Sequence, residues 1–259
     1  MRLAIAGGTG TVGRHVTRIA REAGHDVLVL TRAHGHDLRT GAGIDVRGVD
    51  AVIDVCGPDG RAARDPARFF AETTARLLRA EHAAHVPHHV ALSIVGAAHA
   101  PYGYYRGKAV QEQLVAAGPT PWSVLRTTQF YEFAESSAVS VGPWLLSPRM
   151  RSRPVAARAV AQRLVHIATG NPLGDARTLA GPHEWRMAEL LREILRHRRD
   201  GRRVLEVPLP GRFGHALRNG TILPADDADF DTLDLRTWLA ESSGGTHTGP
   251  SPDGSAHGT

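Results

Sequence analysis

Cysteine is almost absent from this 259-residue sequence, and the single one, Cys56, excludes both an internal disulfide and a cysteine-based zinc site. Neither a secreted disulfide scaffold nor a zinc ribbon is available, so stability must come from a packed core. Long apolar runs are missing too. No stretch approaches the roughly 18 apolar residues that cross a bilayer. The apolar start MRLAIA is cut off by Gly7 and Gly8, too early for a secretory signal. The expected compartment is therefore the cytoplasm, with no membrane partner. Lysine is the scarcest charge: of 31 basic residues 30 are arginine, leaving only Lys108. A net charge of +5 raises the question of nucleic acid. The arginines are scattered, however, and their one dense run, Arg196 to Arg203, reads as a solvated helix end, so no nucleic-acid partner is expected. What is present, 42% hydrophobic and 22% charged residues, excludes a chain disordered throughout.

Residues 3–6 (LAIA) read as a strand that ends in the glycine turn Gly7 to Gly13, followed by a helical pattern to Ala23 and a second apolar run, Val27 to Leu30. Two strands around one helix make a parallel βαβ unit the simplest topology. The segment 33–50 is rich in Gly, His and Asp and predicts at most an abbreviated third strand and helix. Strands are expected at Val49–Val55, His89–Ile94 and Trp122–Leu125, and helices at Pro66–Ala84 and Tyr105–Ala117. This alternation predicts an α/β protein with a Rossmann-type, doubly wound parallel sheet. Beyond about residue 130 the pattern loosens. Helices at Val155–Ala168 and Trp185–His197 and short strands near Trp144, Thr178 and Val204 suggest a small substrate-covering lobe on a single domain that ends near residue 240. Residues 241–259 carry no large apolar side chain and are expected to be disordered.

Glycines at 7, 10 and 13, placed between a strand and a helix, have the tasks of a dinucleotide turn: a tight bend, close approach of the backbone to pyrophosphate, and close helix–strand packing. Thr9, Thr11, Val12 and Arg14 complete the candidate phosphate cradle. After the second strand stands Arg32, with no acid until Asp37, which favours the 2′-phosphate of NADP over the 2′-hydroxyl of NAD. Tyr104 and Lys108 lie four residues apart on one helix face. An ammonium beside a phenol favours its ionisation and brings it toward acid–base work at neutral pH. Ser93, at the end of the preceding strand, is positioned to polarise a substrate oxygen. His82, His85, His88 and His89 crowd one segment, but it spans a helix-to-strand turn with Pro87 inside it, so no metal site is expected. Phe130, Tyr131, Phe133 and Trp144 offer a candidate wall for an apolar substrate pocket.

The turn GGTGTVG, the strand VDAVIDV and the segments HHVALSIVG, YYRGK and PWSVLRTTQFYEF together resemble the NmrA-like, NAD(P)-binding branch of the atypical short-chain dehydrogenases/reductases, over about residues 1–240. The resemblance implies NADPH as cofactor, with Cys56 and Gly57 in the loop beside the nicotinamide ribose and Thr128, Gln129 and Phe130 lining the cofactor–substrate junction. It also implies the superfamily's serine, tyrosine and lysine at Ser93, Tyr104 and Lys108. The expected activity is reduction of a small or medium apolar carbonyl, quinone or conjugated compound, with Tyr104 as proton donor and a small-molecule substrate as partner. Two alternatives stand beside it: a non-catalytic NADP(H)-sensing regulator, and a cyclase or isomerase using the same fold.

Overall fold

The computed structural model describes residues 1–59, 63–100 and 102–243. Strand β1 (Arg2–Ala6) is buried at every position after its first, as a central parallel strand must be. It leads through the glycine turn to α1 (Gly13–Glu22), which lays Val16 and Ala20 on the sheet. Next comes β2 (Asp26–Leu30), which pairs in parallel with β1 from Arg2↔Asp26 to Ala6↔Leu30. Residues 31–50 form no named strand; they make one 3-10 turn, Arg32–His34, and an isolated bridge between Asp37 and Ala42. The abbreviation expected from the sequence is therefore complete. At Gly43 (φ +69°) a Cβ would stand 2.1 Å from the carbonyl oxygen of Gly35, so this segment folds back on itself too tightly for regular structure.

The sheet resumes at β3 (Ala51–Asp54), buried throughout. Helix α2 (Pro66–Ala83) opens with Asp65 accepting from the Arg68 N–H and with proline in its first turn, a standard helix start. Then follow β4 (His89–Ile94), α3 (Gly103–Ala117) and β5 (Trp122–Thr127). The second half contributes α4 (Phe133–Ser136), β6 (Val139–Val141), β7 (Trp144–Pro148), β8 (Arg151–Ser152), α5 (Ala157–Ala168), β9 (Gly174–Asp175) and β10 (Leu179–Ala180). It continues with β11 (Trp185–Arg186), α6 (Met187–His197), β12 (Arg203–Val207), α7 (Gly211–Arg218), β13 (Asp229–Phe230) and α8 (Leu235–Ser243).

The main sheet runs in the order β2-β1-β3-β4-β5-β10-β13, with β9 added on β5, and its named pairs are all parallel. Helices α1 and α5 pack together, and Leu3, Ile5, Ile53, Leu125, Val160 and Leu164 fill the core on that side. The other side is covered by α2 and α3, with Ala4, Val52 and Leu77 in one cluster and Ala91, Val115 and Val124 in another. This is the doubly wound architecture the alternating pattern predicts.

Not every element after residue 130 belongs to the lobe. Helix α5 and strands β9, β10 and β13 return to the main sheet, because their apolar positions complete its core and its far edge. The lobe proper consists of a three-stranded sheet, β12-β7-β6, the β8–β11 pair, and helices α4, α6, α7 and α8 around Tyr131, Met187, Leu190, Ile194, Leu217 and Trp238. Residues 241–243, expected to begin a disordered tail, instead close α8, while the rest of that tail lies outside the described residues. Trp238 and Leu239 anchor this helix in the lobe core, which the polar sequence after it does not reveal.

Candidate active site

The turn after β1 is shaped by close approaches. Gly7 has φ +82°, and a Cβ there would lie 2.9 Å from the Val55 carbonyl oxygen and 3.0 Å from Cys56, so the turn rests against the chain leaving β3. At Gly13 a Cβ would stand 2.0 Å from the Gly7 oxygen, which fixes how near α1 can sit to the turn. Gly10 is less crowded: its N–H donates to Gly7 O at 3.0 Å, and a Cβ would meet the same oxygen at 3.3 Å. Helix α1 has neither a side-chain cap nor an acidic residue in its first turn, leaving its positive end to an anion. Thr9, Thr11 and Arg14 are exposed around it and Val12 is buried. These residues fit a dinucleotide pyrophosphate.

At the end of β2, Arg32 is exposed and pairs with Asp59 at 3.5 Å. Its guanidinium points toward the loop that carries Cys56 and Gly57, with an acid already beside it. Cys56 is buried; burial first, and then the Asp54 carboxylate, push its thiol well above the usual range, so it is no nucleophile. Gly57 is exposed, with nothing within 4 Å of a Cβ built on it.

Tyr104 and Lys108 do occupy one face of α3, but Lys108 turns inward. Its Nζ donates to the Leu92 carbonyl and to Gln111 Oε1, both at 2.8 Å, and sits 4.3 Å above the Phe70 ring. It lies 5.7 Å from the centre of the Tyr104 ring, which itself meets Phe70 edge-on. Burial lowers the Lys108 ammonium to about 8, against a raising effect of Asp54, Cys56 and Glu112. Tyr104 keeps 40% of its surface exposed, yet desolvation first, then Asp54, Tyr105 and Cys56, hold its phenol well above the ordinary tyrosine value. Burial and Asp54 thus act against the expected pull of the lysine and push the phenol up rather than down.

Ser93 also faces differently from expectation. Its hydroxyl donates to Glu112 Oε1 on α3, and Arg126 of β5 grips the same carboxylate at 2.8 Å while reaching Asp175 with its other nitrogen at 2.8 Å. Along β4, Ser93 shares the α3 side with Ala91, so its hydroxyl fastens helix to sheet. Thr128, Gln129 and Phe130 join the sheet to the lobe. Thr128 Oγ1 donates to the Arg153 carbonyl, Gln129 Nε2 donates to the Tyr105 hydroxyl at 3.0 Å, and Gln129 Oε1 accepts from Ser152 at 2.8 Å. Phe130 packs on the core between α1 and α5.

A cavity of about 800 Å³ opens between the glycine turn and the lobe, lined by Thr11, Arg14, Glu132, Arg158, Arg198 and Trp238 among others. Glu132 accepts from the Trp238 indole at 3.1 Å and from the Ala157 N–H at 3.3 Å, and burial outweighs these bonds to raise its carboxyl above the usual range. The cavity mixes charged side chains with the apolar Ile194, Trp238 and Leu239, and of the aromatic group expected to wall a pocket only Tyr131 lines it. That group does not converge: Tyr131 is buried against Trp238 at 5.4 Å, whereas Phe133 and Trp144 are exposed.

Among the described residues no cluster of histidines and carboxylates could hold a metal. His89 is buried against Glu81 at 2.8 Å and His88 Nε2 meets Ser123 at 2.8 Å, so these two tie β4 to α2 and β5. Burial pulls His89 down, but the Glu81 carboxylate outweighs it and leaves the imidazole above its ordinary value. The dense arginine run is likewise paired with acids, Arg196 with Glu193 and both Arg198 and Arg202 with Glu135. Sequence reasoning missed Asp54, Gln111 and Glu112. Gln111, three residues after Lys108 on the same helical face, was the one within reach of spacing arguments.

No family model matches the chain, and no curated protein matches it. Solved structures do. TunA, an NAD-dependent NDP-hexosamine 5,6-dehydratase of tunicamycin biosynthesis, superposes with a TM-score of 0.67 at 15% identity over 94% of this chain and 98% of its own. A nucleoside-diphosphate-sugar epimerase from Staphylococcus aureus gives 0.66 at 15% identity, over 92% and 99%. A short-chain dehydrogenase/reductase superfamily protein from Agrobacterium tumefaciens with bound NAD gives 0.64 at 18% identity, over 94% and 96%. At such identities the likeness establishes the fold alone: the chain shares the Rossmann-type architecture of these proteins along nearly its whole length. Among the described residues no helix is long and apolar enough to cross a membrane. The narrower NmrA-like resemblance rests on sequence motifs alone.

Proposed function

We propose that the protein is an NADPH-dependent oxidoreductase of short-chain dehydrogenase/reductase type that reduces a carbonyl, quinone or conjugated group of a small or medium substrate. The observation that carries this reading is a juxtaposition. One carboxyl edge of one parallel sheet presents a turn whose glycines leave room for a pyrophosphate and, past the next strands, Tyr104 in the first turn of α3 with Lys108 behind it. When bound, the nicotinamide supplies hydride. Tyr104 gives its phenolic proton to the substrate oxygen, and Lys108 holds a positive charge behind it. Ser93, committed to Glu112, positions α3 and does not polarise the oxygen. Arg32 and Arg14 favour the 2′-phosphate of NADPH, Arg32 exchanging Asp59 for it.

The test is a panel of carbonyls and quinones with NADPH consumption read at its near-ultraviolet absorbance, beside melting temperatures with NADPH and NADH. A cofactor that binds only the folded chain must raise its melting temperature. Turnover with a larger shift from NADPH supports the reading; binding without consumption of any substrate sinks it in favour of a sensor. The three arginines that line the cavity, Arg14, Arg158 and Arg198, favour a second reading, chemistry on an anionic sugar such as the substrates of the epimerase and dehydratase neighbours. In that reading a nucleotide sugar is converted with no net consumption of cofactor, which product analysis detects directly.

A further inference from the structure

We infer that Asp54 and Gln111 are positioning residues for Lys108, forming with it a buried hydrogen-bonded relay that fixes the ammonium and ties it to the loop after β3. The inference rests on the proposed role of Lys108 as the cation of the reaction centre. Lys108 Nζ donates to Gln111 Oε1 at 2.8 Å, Gln111 Nε2 donates to Asp54 Oδ2 at 2.8 Å, and Asp54 Oδ1 accepts from the Cys56 N–H at 3.0 Å. All three side chains are at most 2% exposed.

The chemistry of the middle residue is forced by its neighbours. It must offer an acceptor to a cation and a donor to a carboxylate, and the primary amide of Gln111 does both at its two ends without carrying charge. This order also sets which end of Gln111 is oxygen. The ammonium spends a second donor on the Leu92 carbonyl, and its remaining face lies over the Phe70 ring, so no direction is left in which it swings freely. The charged and titratable groups facing it are Asp54 from β3, Cys56 from the following loop, and Tyr104 and Glu112 from α3. Asp54 is thus the near anion, and its other oxygen holds the backbone of Cys56. That same backbone lies within 3.0 Å of where a Gly7 side chain would begin. Phosphate turn, loop and ammonium are therefore one mechanical unit, in which the first cannot shift without disturbing the last.

The chain contains a single lysine, which makes the test direct: protein labelled with 13C/15N-lysine gives one side-chain ammonium signal, whose titration needs no assignment and no substrate. The wild-type signal is expected to titrate near 8. Asp54→Asn should lower that midpoint by about one unit or more, because a nearby anion favours the charged form. Gln111→Met should also lower it, since it removes an acceptor from the ammonium without changing any charge. Gln111→Glu should raise it, by setting a carboxylate where the amide oxygen was. If Asp54→Asn melts out, the two Gln111 variants still decide the matter by moving in opposite directions. Midpoints in folded Gln111→Met and Gln111→Glu that match the wild type would overturn the relay. Failure of every substrate in the turnover panel, with these shifts observed, would instead overturn the proposed reaction and leave the relay standing.

Discussion

At the β2 end of the sheet's carboxyl edge, Arg32 has 68% of its side chain exposed and meets Asp59 at 3.5 Å, beside twenty residues that hold no named strand. At the β3 and β4 end, Asp54, Gln111 and Lys108 are sealed from water and joined by bonds of 2.8 Å. An exposed pair of this kind contributes about 0–1 kcal/mol and is easily exchanged for another partner. Removing one member of a buried charged network leaves its partner uncompensated at a cost of about 3–5 kcal/mol. On the proposed reading the same edge separates two tasks: the β2 end, which would hold adenosine, can change its ligand preference with little effect on folding, while the end that carries Lys108 is bound up with the core.

The sharpest test of this division is Tyr104→Phe. Turnover of an identified substrate should fall about 10²- to 10⁴-fold, the usual contribution of a positioned acid, with NADPH affinity unchanged by titration calorimetry. Tyr105→Phe is the control: the Tyr105 hydroxyl is bonded to Gln129 in the lobe, so that variant should lose about 1 kcal/mol of stability and keep its turnover. The reverse result would place the acid in the wrong register.

Between the two ends, the glycine turn separates ligand from fold. Gly10→Val should weaken NADPH binding by at least about 1–3 kcal/mol while the melting temperature in the absence of cofactor stays close to wild type, since its Cβ would meet only Gly7 O at 3.3 Å. Gly13→Val should fail to fold, because the 2.0 Å contact is with backbone that cannot yield. Equal binding by Gly10→Val and wild type would show the turn to be purely structural.

A smaller effect lies in the pH dependence of stability. Lys108 gives up its proton near 8 in the folded chain and near 10.5 in the unfolded one, so between these values the unfolded state binds more protons. Its contribution must then make stability rise with pH across that window. Denaturant melts of wild type and Lys108→Met at several pH values should diverge in that direction, and parallel curves would show the ammonium to be better solvated than its burial implies. The smallest effect belongs to the exposed end. Arg32→Ala should narrow the preference for NADPH over NADH by about 1–3 kcal/mol and change stability by no more than ~0.5 kcal/mol. Equal melting-temperature shifts from both cofactors in the wild type would remove Arg32 from the site.

The same contrast governs what could be read in advance. β4 was legible to the residue, His89–Ile94, because a mainly apolar run too short for a helix, between Pro87 and Gly96, reads as a buried strand. β5 runs two residues beyond the expected Leu125, through Arg126, whose charge hides a strand position that Glu112 and Asp175 make tolerable. The glycine turn was legible because each of its constraints is local. α7 and α8 were not, since each is short and its apolar residues find partners only in the lobe core. The inward turn of Lys108 was equally hidden: spacing brings it to the face of Tyr104, but Asp54, fifty-seven residues before Gln111, decides where that ammonium points.

The missing strand beyond β2 leaves the sheet unfinished on that side, since β2 pairs with β1 alone. Such an edge is an invitation to self-association, because its free amides and carbonyls can template another chain. Here the invitation is blunted. The strand is only five residues long, opens on the charge of Asp26 and is followed at once by Arg32 and the 3-10 turn. A second molecule adding a strand there would have to bring its own backbone past both charges, so the trimmed β2 side carries its own guard against fibre growth.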